Sequence, residues 1–241
     1  MNYLKGTAAV VLLWYLLAAL VSAPIVPFPH RAAARLAVSL TGEASYLHML
    51  FSLYRMAGGM VLALLLGIPV GMLAGRLRSL DQVISPVLYL LYPVPKIAFL
   101  PVFMVLLGIG DVSKIALIAS IIFFPIAVSI KDGVREISLE YADLASAFHL
   151  TPREMIRDIL FPGVLPRIFT SLRITLGISL SVLFISENYA ASYGLGYAVM
   201  NHWIMADYTG MYAFIILLST LGFGLYLLID LLERVCLPWK S

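Results

Sequence analysis

Six long apolar runs constrain the fold of this chain more than any other feature. They cover roughly residues 6–24, 49–75, 84–109, 113–131, 168–188 and 210–235. A helix needs roughly 20 apolar residues to cross the hydrocarbon core of a bilayer, and the runs are about that long. Hydrophobic residues make up 62% of the 241 residues and charged residues only 12%, which excludes a soluble domain of this size. The sequence predicts an all-α integral membrane protein with about six transmembrane helices.

The lysines and arginines that flank these runs predict the orientation of the chain. With the N-terminus inside, the inner side holds Lys5, Arg76, Arg78, Lys131, Arg135, Arg153, Arg157, Arg167, Arg173, Arg234 and Lys240. The outer side holds only Arg31, Arg35 and Lys114. Because positive residues accumulate in cytoplasmic segments, we expect both termini in the cytoplasm. Met1 to Ala23 also has features of a signal peptide, but its apolar core is long for one, so we interpret it as an uncleaved helix.

One strongly charged segment, Lys131 to Arg167, interrupts the apolar pattern. It holds eleven of the 29 charged residues and would lie in the cytoplasm. Within it, Thr151, Pro152 and Glu154 form the pattern of a helix start, with an N-cap, a proline at the first position and an acid three residues on. A membrane protein with such a segment presents it to something in water. We therefore expect a protein partner to bind there.

The common catalytic and nucleotide-binding motifs are absent from the sequence. There is no G-x-x-x-x-G-K-[ST], H-E-x-x-H or G-x-S-x-G, the four histidines are scattered, and Cys236 is the single cysteine. These absences predict that the chain is no enzyme and holds no metal or cofactor of its own. The cations are too dispersed for nucleic-acid binding. A stand-alone secondary transporter is an alternative, although only one run is broken by prolines and no internal repeat is visible.

Ionisable residues inside the apolar runs are candidates for a solute path. Lys96 follows Pro93 and Pro95, and Glu187 follows the fifth run. A charge at the bilayer centre costs about 2.5–3.5 kcal/mol, so these groups either line a path or reach the surface from a helix end.

Glycines on one face of the second run predict a helix-packing surface. Gly67, Gly71 and Gly75 are four residues apart. Small residues at that spacing let two helices approach closely, either as a sliding contact or as a static one. The more polar stretch from Pro24 to His48 predicts a short helix along the outer membrane surface.

The charged segment carries a recognisable pattern. Asp143-Leu144-Ala145, His149 after three residues and Ile159-Leu160-Phe161-Pro162 after nine more resemble the EAA loop in the permeases of bacterial ABC importers. The family pattern is Glu-Ala-Ala, three residues, Gly, nine residues, then Ile-x-Leu-Pro. The spacing agrees without a gap, but His149 replaces the glycine.

Further blocks narrow the resemblance to the nitrate, sulfonate and taurine branch of these permeases. They are Pro93 to Pro101 followed by Gly108 to Lys114, then Glu187 with Gly194-Leu195-Gly196-Tyr197, and finally Pro238-Trp239. The blocks occur in the family's order, and the resemblance covers residues 46–240. It implies the type I (MetI-like) permease fold, with an N-terminal helix and external segment in 1–45, the permease domain in 46–235 and a cytoplasmic tail in 236–241.

The resemblance also implies a function and a set of partners. The chain would be the permease subunit of an ATP-driven importer in a prokaryotic inner or plasma membrane, working with a second copy of itself. An extracytoplasmic solute-binding protein would deliver nitrate, sulfonate, taurine, bicarbonate or a thiamine precursor. ATP and Mg²⁺ would bind to a separate pair of ATPase subunits. The coupling loop, 131–167, would touch the ATPase through Asp143, Ala145, Ala147, His149, Leu150 and Thr151.

Overall fold

Helices form almost the whole of the described chain. The computed structural model describes residues 3–21, 23–141 and 147–240, and these contain no β-strand. The longer helices are α1 (Tyr3–Val21), α2 (Pro29–Ser39), α3 (Glu43–Arg76), α4 (Arg78–Leu91), α5 (Leu100–Leu107), α6 (Asp111–Glu140), α7 (Phe161–Glu187), α8 (Leu195–Ile204) and α9 (Tyr208–Cys236). This architecture confirms the all-α prediction.

Four helical segments are long and apolar enough to cross a membrane. They are Glu43–Arg76, Asp111–Leu139, Pro152–Glu187 and Tyr208–Cys236. A fifth span results if α4 and the helical segment Lys96–Leu107 are counted as one. The apolar part of α1, Lys5–Val21, is shorter, so a sixth span stays a prediction.

The third apolar run is broken more sharply than a kinked helix. The axes of α4 and of the segment Lys96–Leu107 differ by 89°. A proline removes a backbone donor and restrains the residue before it, so Pro93 and Pro95 end α4 and a 3₁₀ turn, Lys96–Phe99, leads into α5. The sequence located the break but not its angle.

The helix of the fifth run begins well before its apolar part. A single turn, Pro152–Glu154, and a π-helical stretch, Met155–Leu160, lead directly into α7. Arg157 and Asp158 are exposed and pair with each other at 2.7 Å, so they extend the helix into water. Hydropathy detects only the apolar portion, which explains the late predicted start.

The chain groups into two compact units. The first contains the residues up to Tyr54 together with Phe184–Leu221. Its core forms where α8 and α9 meet and contains Leu195, Ala198, Val199, Phe214 and Leu217. The predicted division at residues 45 and 235 stays a prediction.

The second unit contains Arg55–Leu183 and the chain from Gly222 onward. A ridge of branched residues on α6 forms its centre, with a buried residue at every fourth position: Ile118, Ile122, Ile126, Ile130 and Val134. The glycine face of α3 lies against this ridge. An added Cβ would come within 3.0 Å of Ile126 at Gly67, and within 2.7 Å and 2.6 Å of the α6 backbone at Gly71 and Gly75. Side chains there would push the two helices apart.

Candidate functional site

The predicted coupling residues that the structure describes form a short exposed stretch. Ala147 and His149 are exposed, and Leu150 is partly buried. Asp143 and Ala145 lie outside the described residues. Phe148, which lies between Ala147 and His149, exposes 70% of its surface. Phe148 was not among the predicted contact residues, although an aromatic residue within a polar segment is a recognisable signal.

His149 adopts a left-handed backbone conformation, with φ of +48°. Glycine reaches this region without steric cost, whereas a side chain costs roughly 1–2 kcal/mol there. This geometry accounts for the glycine in the family pattern at this position. The replacement by histidine keeps the turn and adds strain to it.

The predicted helix start is present as a complete capping box. The Thr151 hydroxyl accepts a hydrogen bond from the backbone N–H of Glu154 at 3.4 Å, and the Glu154 carboxylate accepts one from the backbone N–H of Thr151 at 2.8 Å. Two backbone donors that would otherwise lack partners are satisfied reciprocally. The exposed stretch therefore ends at a well-defined helix start, and that helix continues to Glu187.

The candidate path residues lie in different settings. Lys96 donates hydrogen bonds from Nζ to the carbonyl oxygens of Leu91 and Tyr92, the latter at 2.6 Å, and so stabilises the end of α4. Its ammonium group also lies 4.3 Å from the ring centre of Phe124. Pro93 and Pro95 form the bend beside it.

Glu187 is fully buried and belongs to a hydrogen-bonded cluster at the start of α8. Its carboxylate accepts hydrogen bonds from the Ser52 hydroxyl at 2.8 Å and from the Gly196 N–H at 2.7 Å. The Ser52 oxygen in turn accepts from the Leu195 N–H at 2.8 Å. A helix N-terminus carries partial positive charge, which stabilises the buried carboxylate.

Glycine is required beside this carboxylate. Gly194 has φ of +145°, and an added Cβ would lie 2.4 Å from the Glu187 carboxyl carbon. A Cβ on Gly196 would lie 2.7 Å from the Phe184 carbonyl oxygen. The third motif block thus builds a capped helix start, a role that spacing alone did not reveal.

The second motif block also forms a defined turn. Gly108 has φ of +88°. The Gly110 carbonyl accepts hydrogen bonds from the Ser113 hydroxyl at 2.9 Å and from Lys114 Nζ at 3.1 Å. Asp111 pairs with the buried Arg55 at 2.7 Å. The pairing neutralises an arginine that the sequence placed within an apolar run.

A half-buried arginine, Arg173, was assigned to the wrong setting from the sequence. Arg173 in α7 pairs with Asp230 at 3.0 Å and also contacts Glu233, both on α9. Its sequence position suggested a flanking topology charge. Three mostly buried charges instead link two membrane helices, in agreement with the tendency of intramembrane charges to pair. In the parts of the chain that the structure describes, no group of three His, Cys, Asp or Glu residues could hold a metal ion.

Comparisons with known proteins agree with the motif-based resemblance. A sequence model of the family described as "Binding-protein-dependent transport system inner membrane component" matches residues 67–235. The taurine transport system permease protein TauC of Escherichia coli is 32% identical, over 98% of this chain and 89% of its own length. The formylaminopyrimidine transport permease protein ThiX of Halalkalibacterium halodurans is 28% identical, over 95% of this chain and 92% of its own length.

A solved structure supports the fold independently. The MetNI methionine ABC transporter in an inward-facing conformation contains a chain that superposes with a TM-score of 0.63 at 21% identity, covering 78% of this chain and 94% of that one. The predicted type I permease fold is therefore confirmed. The chain belongs to the family of binding-protein-dependent transport system inner membrane components, as an integral membrane permease.

Proposed function

We propose that this permease forms the solute path of an ABC importer together with a second copy of itself and two separate ATPase subunits. ATP and Mg²⁺ bind to those subunits and not to this chain. Both termini and the coupling loop, 131–167, face the cytoplasm, and a solute-binding protein docks on the opposite side. The supporting observation is the exposed stretch from Ala147 to His149, which leads through a capping box into a helix long and apolar enough to cross a membrane.

This arrangement suits the transmission of movement. The capping box fixes the start of the helix, and the helical segment Pro152–Glu187 is long enough to cross the bilayer. A displacement of the coupling stretch by a closing ATPase dimer therefore moves α7 as a rigid body, since the interior of a packed helix deforms little. The opposite movement returns the path to its resting state.

The solute is a small compound of the kind that the relatives carry. The names of two relatives specify taurine and formylaminopyrimidine. We propose a solute from the same range, which includes sulfonates, nitrate, bicarbonate and thiamine precursors. The binding protein makes the first selection among these.

Charge substitutions in the coupling stretch test this function. We expect Leu150→Arg and Ala145→Arg to leave membrane insertion intact and to uncouple ATP hydrolysis from uptake, because an arginine cannot enter an apolar groove on the ATPase without desolvation. Uptake and ATP hydrolysis are measured together in proteoliposomes that contain the permease, its ATPase and the loaded binding protein. Normal coupled uptake in both variants would contradict the assignment.

A further inference from the structure

A cleft of about 400 Å³ opens within the second unit. The end of α4 contributes Tyr89 and Tyr92, α6 contributes Pro125 and Ser129, and α7 contributes Ser171. This volume lies in the range of about 300–1,000 Å³ that is typical of small-molecule sites. The cleft is therefore large enough for an organic solute of several heavy atoms.

The cleft lies at the depth of the membrane interior. Pro125 is close to the middle of α6, which runs from Asp111 to Glu140 and is one of the candidate membrane spans. Groups that line the cleft therefore meet either lipid, protein or a solute in transit. The first possibility requires walls without polar groups, because unsatisfied polar groups are costly in hydrocarbon.

The backbone around the cleft is interrupted on two sides. Pro93, at the 89° bend after α4, is one lining residue, and Pro125, inside α6, is another. Each proline lacks an N–H and leaves a carbonyl of the preceding turn without its helical partner. Interrupted helices occur at membrane depth where they line a cavity, and transporters use them to hold solutes. The interruptions favour a solute site over a lipid groove.

The polar groups at the cleft favour a negatively charged head group. Lys131 Nζ donates a hydrogen bond to the Tyr89 oxygen at 2.9 Å, which leaves the phenolic hydrogen free to be donated elsewhere. Ser129 and Ser171 add hydroxyl groups. Lys96 lies 5.8 Å from the ring centre of Tyr92, and none of the eight lining residues is acidic. The lining itself therefore carries no negative charge, and two lysines lie beside it, although Lys131 Nζ is also 3.4 Å from the Asp132 carboxylate.

The remaining surface of the cleft is apolar. Val128, Ile174, the two prolines and the faces of the tyrosine rings form it. A bare inorganic anion would lose its water on these sides without gaining hydrogen bonds, whereas an alkyl group would be buried there favourably.

We infer that this cleft is a transient site for the transported solute, and that it takes a small organic anion with an alkyl body in preference to a bare inorganic anion. The inference rests on the proposed importer function and adds a second selection step after the binding protein. The donors hold the charged head and the apolar wall holds the alkyl chain.

Cysteine modification tests the inference in the assembled transporter. Cys236, the single cysteine, is first replaced by serine. Ile174→Cys then places a thiol on the cleft wall, and Ile178→Cys, one turn further along α7 and also exposed, is the matched control. The probe is sulfonatoethyl methanethiosulfonate, a small organic anion that reacts with thiols in contact with water. The modification rate is measured with butanesulfonate or with nitrate at equal ionic strength.

We expect the probe to modify Ile174→Cys and to spare Ile178→Cys. Butanesulfonate at about ten times its dissociation constant should slow modification roughly tenfold, and nitrate should leave the rate unchanged. An unreactive Ile174→Cys would identify a lipid groove, and equal protection by nitrate would remove the preference for an organic solute. Either result overturns the inference.

A separate measurement distinguishes a failure of the importer function. ATP hydrolysis by the Cys236→Ser complex is recorded with loaded and empty binding protein. If no loaded binding protein stimulates hydrolysis, the importer function is contradicted whatever the modification rates are. If hydrolysis is stimulated while protection fails, only the assignment of the cleft is wrong.

Discussion

Among the helix starts of this permease that carry a side-chain cap, that of α8 is buried and that of the helix leading into α7 is exposed. At the start of α8, Ser52 and Glu187 accept hydrogen bonds from backbone N–H groups and both are fully buried. At the start of the helix that leads into α7, Thr151 and Glu154 cap each other in solvent. Both caps satisfy the same kind of backbone donor.

The difference lies in what replaces a cap when it is lost. Water can bind the exposed N–H groups after Thr151, so loss of that cap leaves no buried donor without an acceptor. No water reaches the N–H groups at the start of α8, so loss of Glu187 leaves buried donors without acceptors. We therefore expect changes in the buried cap to affect stability, and changes near the exposed cap to affect coupling.

The largest expected effect is that of Glu187→Ala. The substitution leaves the Ser52 hydroxyl and the Gly196 N–H without this acceptor. At about 1–3 kcal/mol for each buried unsatisfied group, the free energy of unfolding should fall by about 4 kcal/mol. Unfolding of the purified permease in detergent measures the change. Glu154→Ala, in the exposed cap, should have a far smaller effect, and equal losses would invalidate the comparison.

The next largest effect is expected for Gly194→Ala, which should lower the free energy of unfolding by about 3 kcal/mol. The residue would carry a side chain in a region of backbone space that costs about 1–3 kcal/mol, and its Cβ would overlap the Glu187 carboxyl group. Gly108→Ala is the matched control, because φ is also positive there but nothing lies within 4 Å of an added Cβ. Thermal unfolding should show the larger shift for Gly194→Ala. Identical shifts in the two variants would mean that the destabilisation comes from backbone strain alone and that overlap with the Glu187 carboxyl group adds nothing.

Phe148→Asp should affect coupling without affecting stability. The side chain is 70% exposed, so its removal costs the isolated permease little, but an aspartate would disturb the proposed contact with the ATPase. Co-purification with the ATPase and thermal unfolding are measured side by side. We expect association to be lost, the unfolding temperature to stay constant and Phe148→Leu to retain association. A lowered unfolding temperature would place Phe148 in the fold itself.

The smallest effect is expected for His149→Gly. Relief of the left-handed strain gains about 1–2 kcal/mol, and the greater freedom of glycine in the unfolded chain offsets about 0.5–1 kcal/mol of that gain. The free energy of unfolding should therefore rise by about 0.5–1 kcal/mol, as measured by chemical denaturation. His149→Ala, which retains a Cβ, should give no such increase. A decrease in the glycine variant would show that the imidazole makes a stabilising contact.

The sequence predicted the parts of this molecule that depend on local chemistry. Apolar runs located the membrane helices, and Thr151, Pro152 and Glu154 located a helix start that the structure contains. Prolines located the break after α4. These signals are local because lipid and helix caps act on neighbouring residues in the chain.

Contacts between residues far apart in the chain could not be predicted from the sequence. Arg173 meets Asp230 across 57 positions, and Ser52 meets Glu187 across 135. The spacing of such residues in the sequence does not indicate that they pair, because the pairing depends on how whole helices pack. Helix α8 was missed for a different reason, since ten residues are too few for a membrane span and the sequence offered no other criterion for it.

The π-helical stretch Met155–Leu160 sets the direction in which the exposed cap at Thr151 points relative to α7. A π turn closes its hydrogen bonds over five residues instead of four, so it holds one residue more than an α turn. Each residue of an α-helix advances the side-chain direction by about 100° and the axis by about 1.5 Å. The extra residue therefore turns the exposed cap by about a quarter of a revolution relative to α7, for a negligible change in reach. The π turn thus sets the direction of the proposed ATPase contact with little change in its distance from α7.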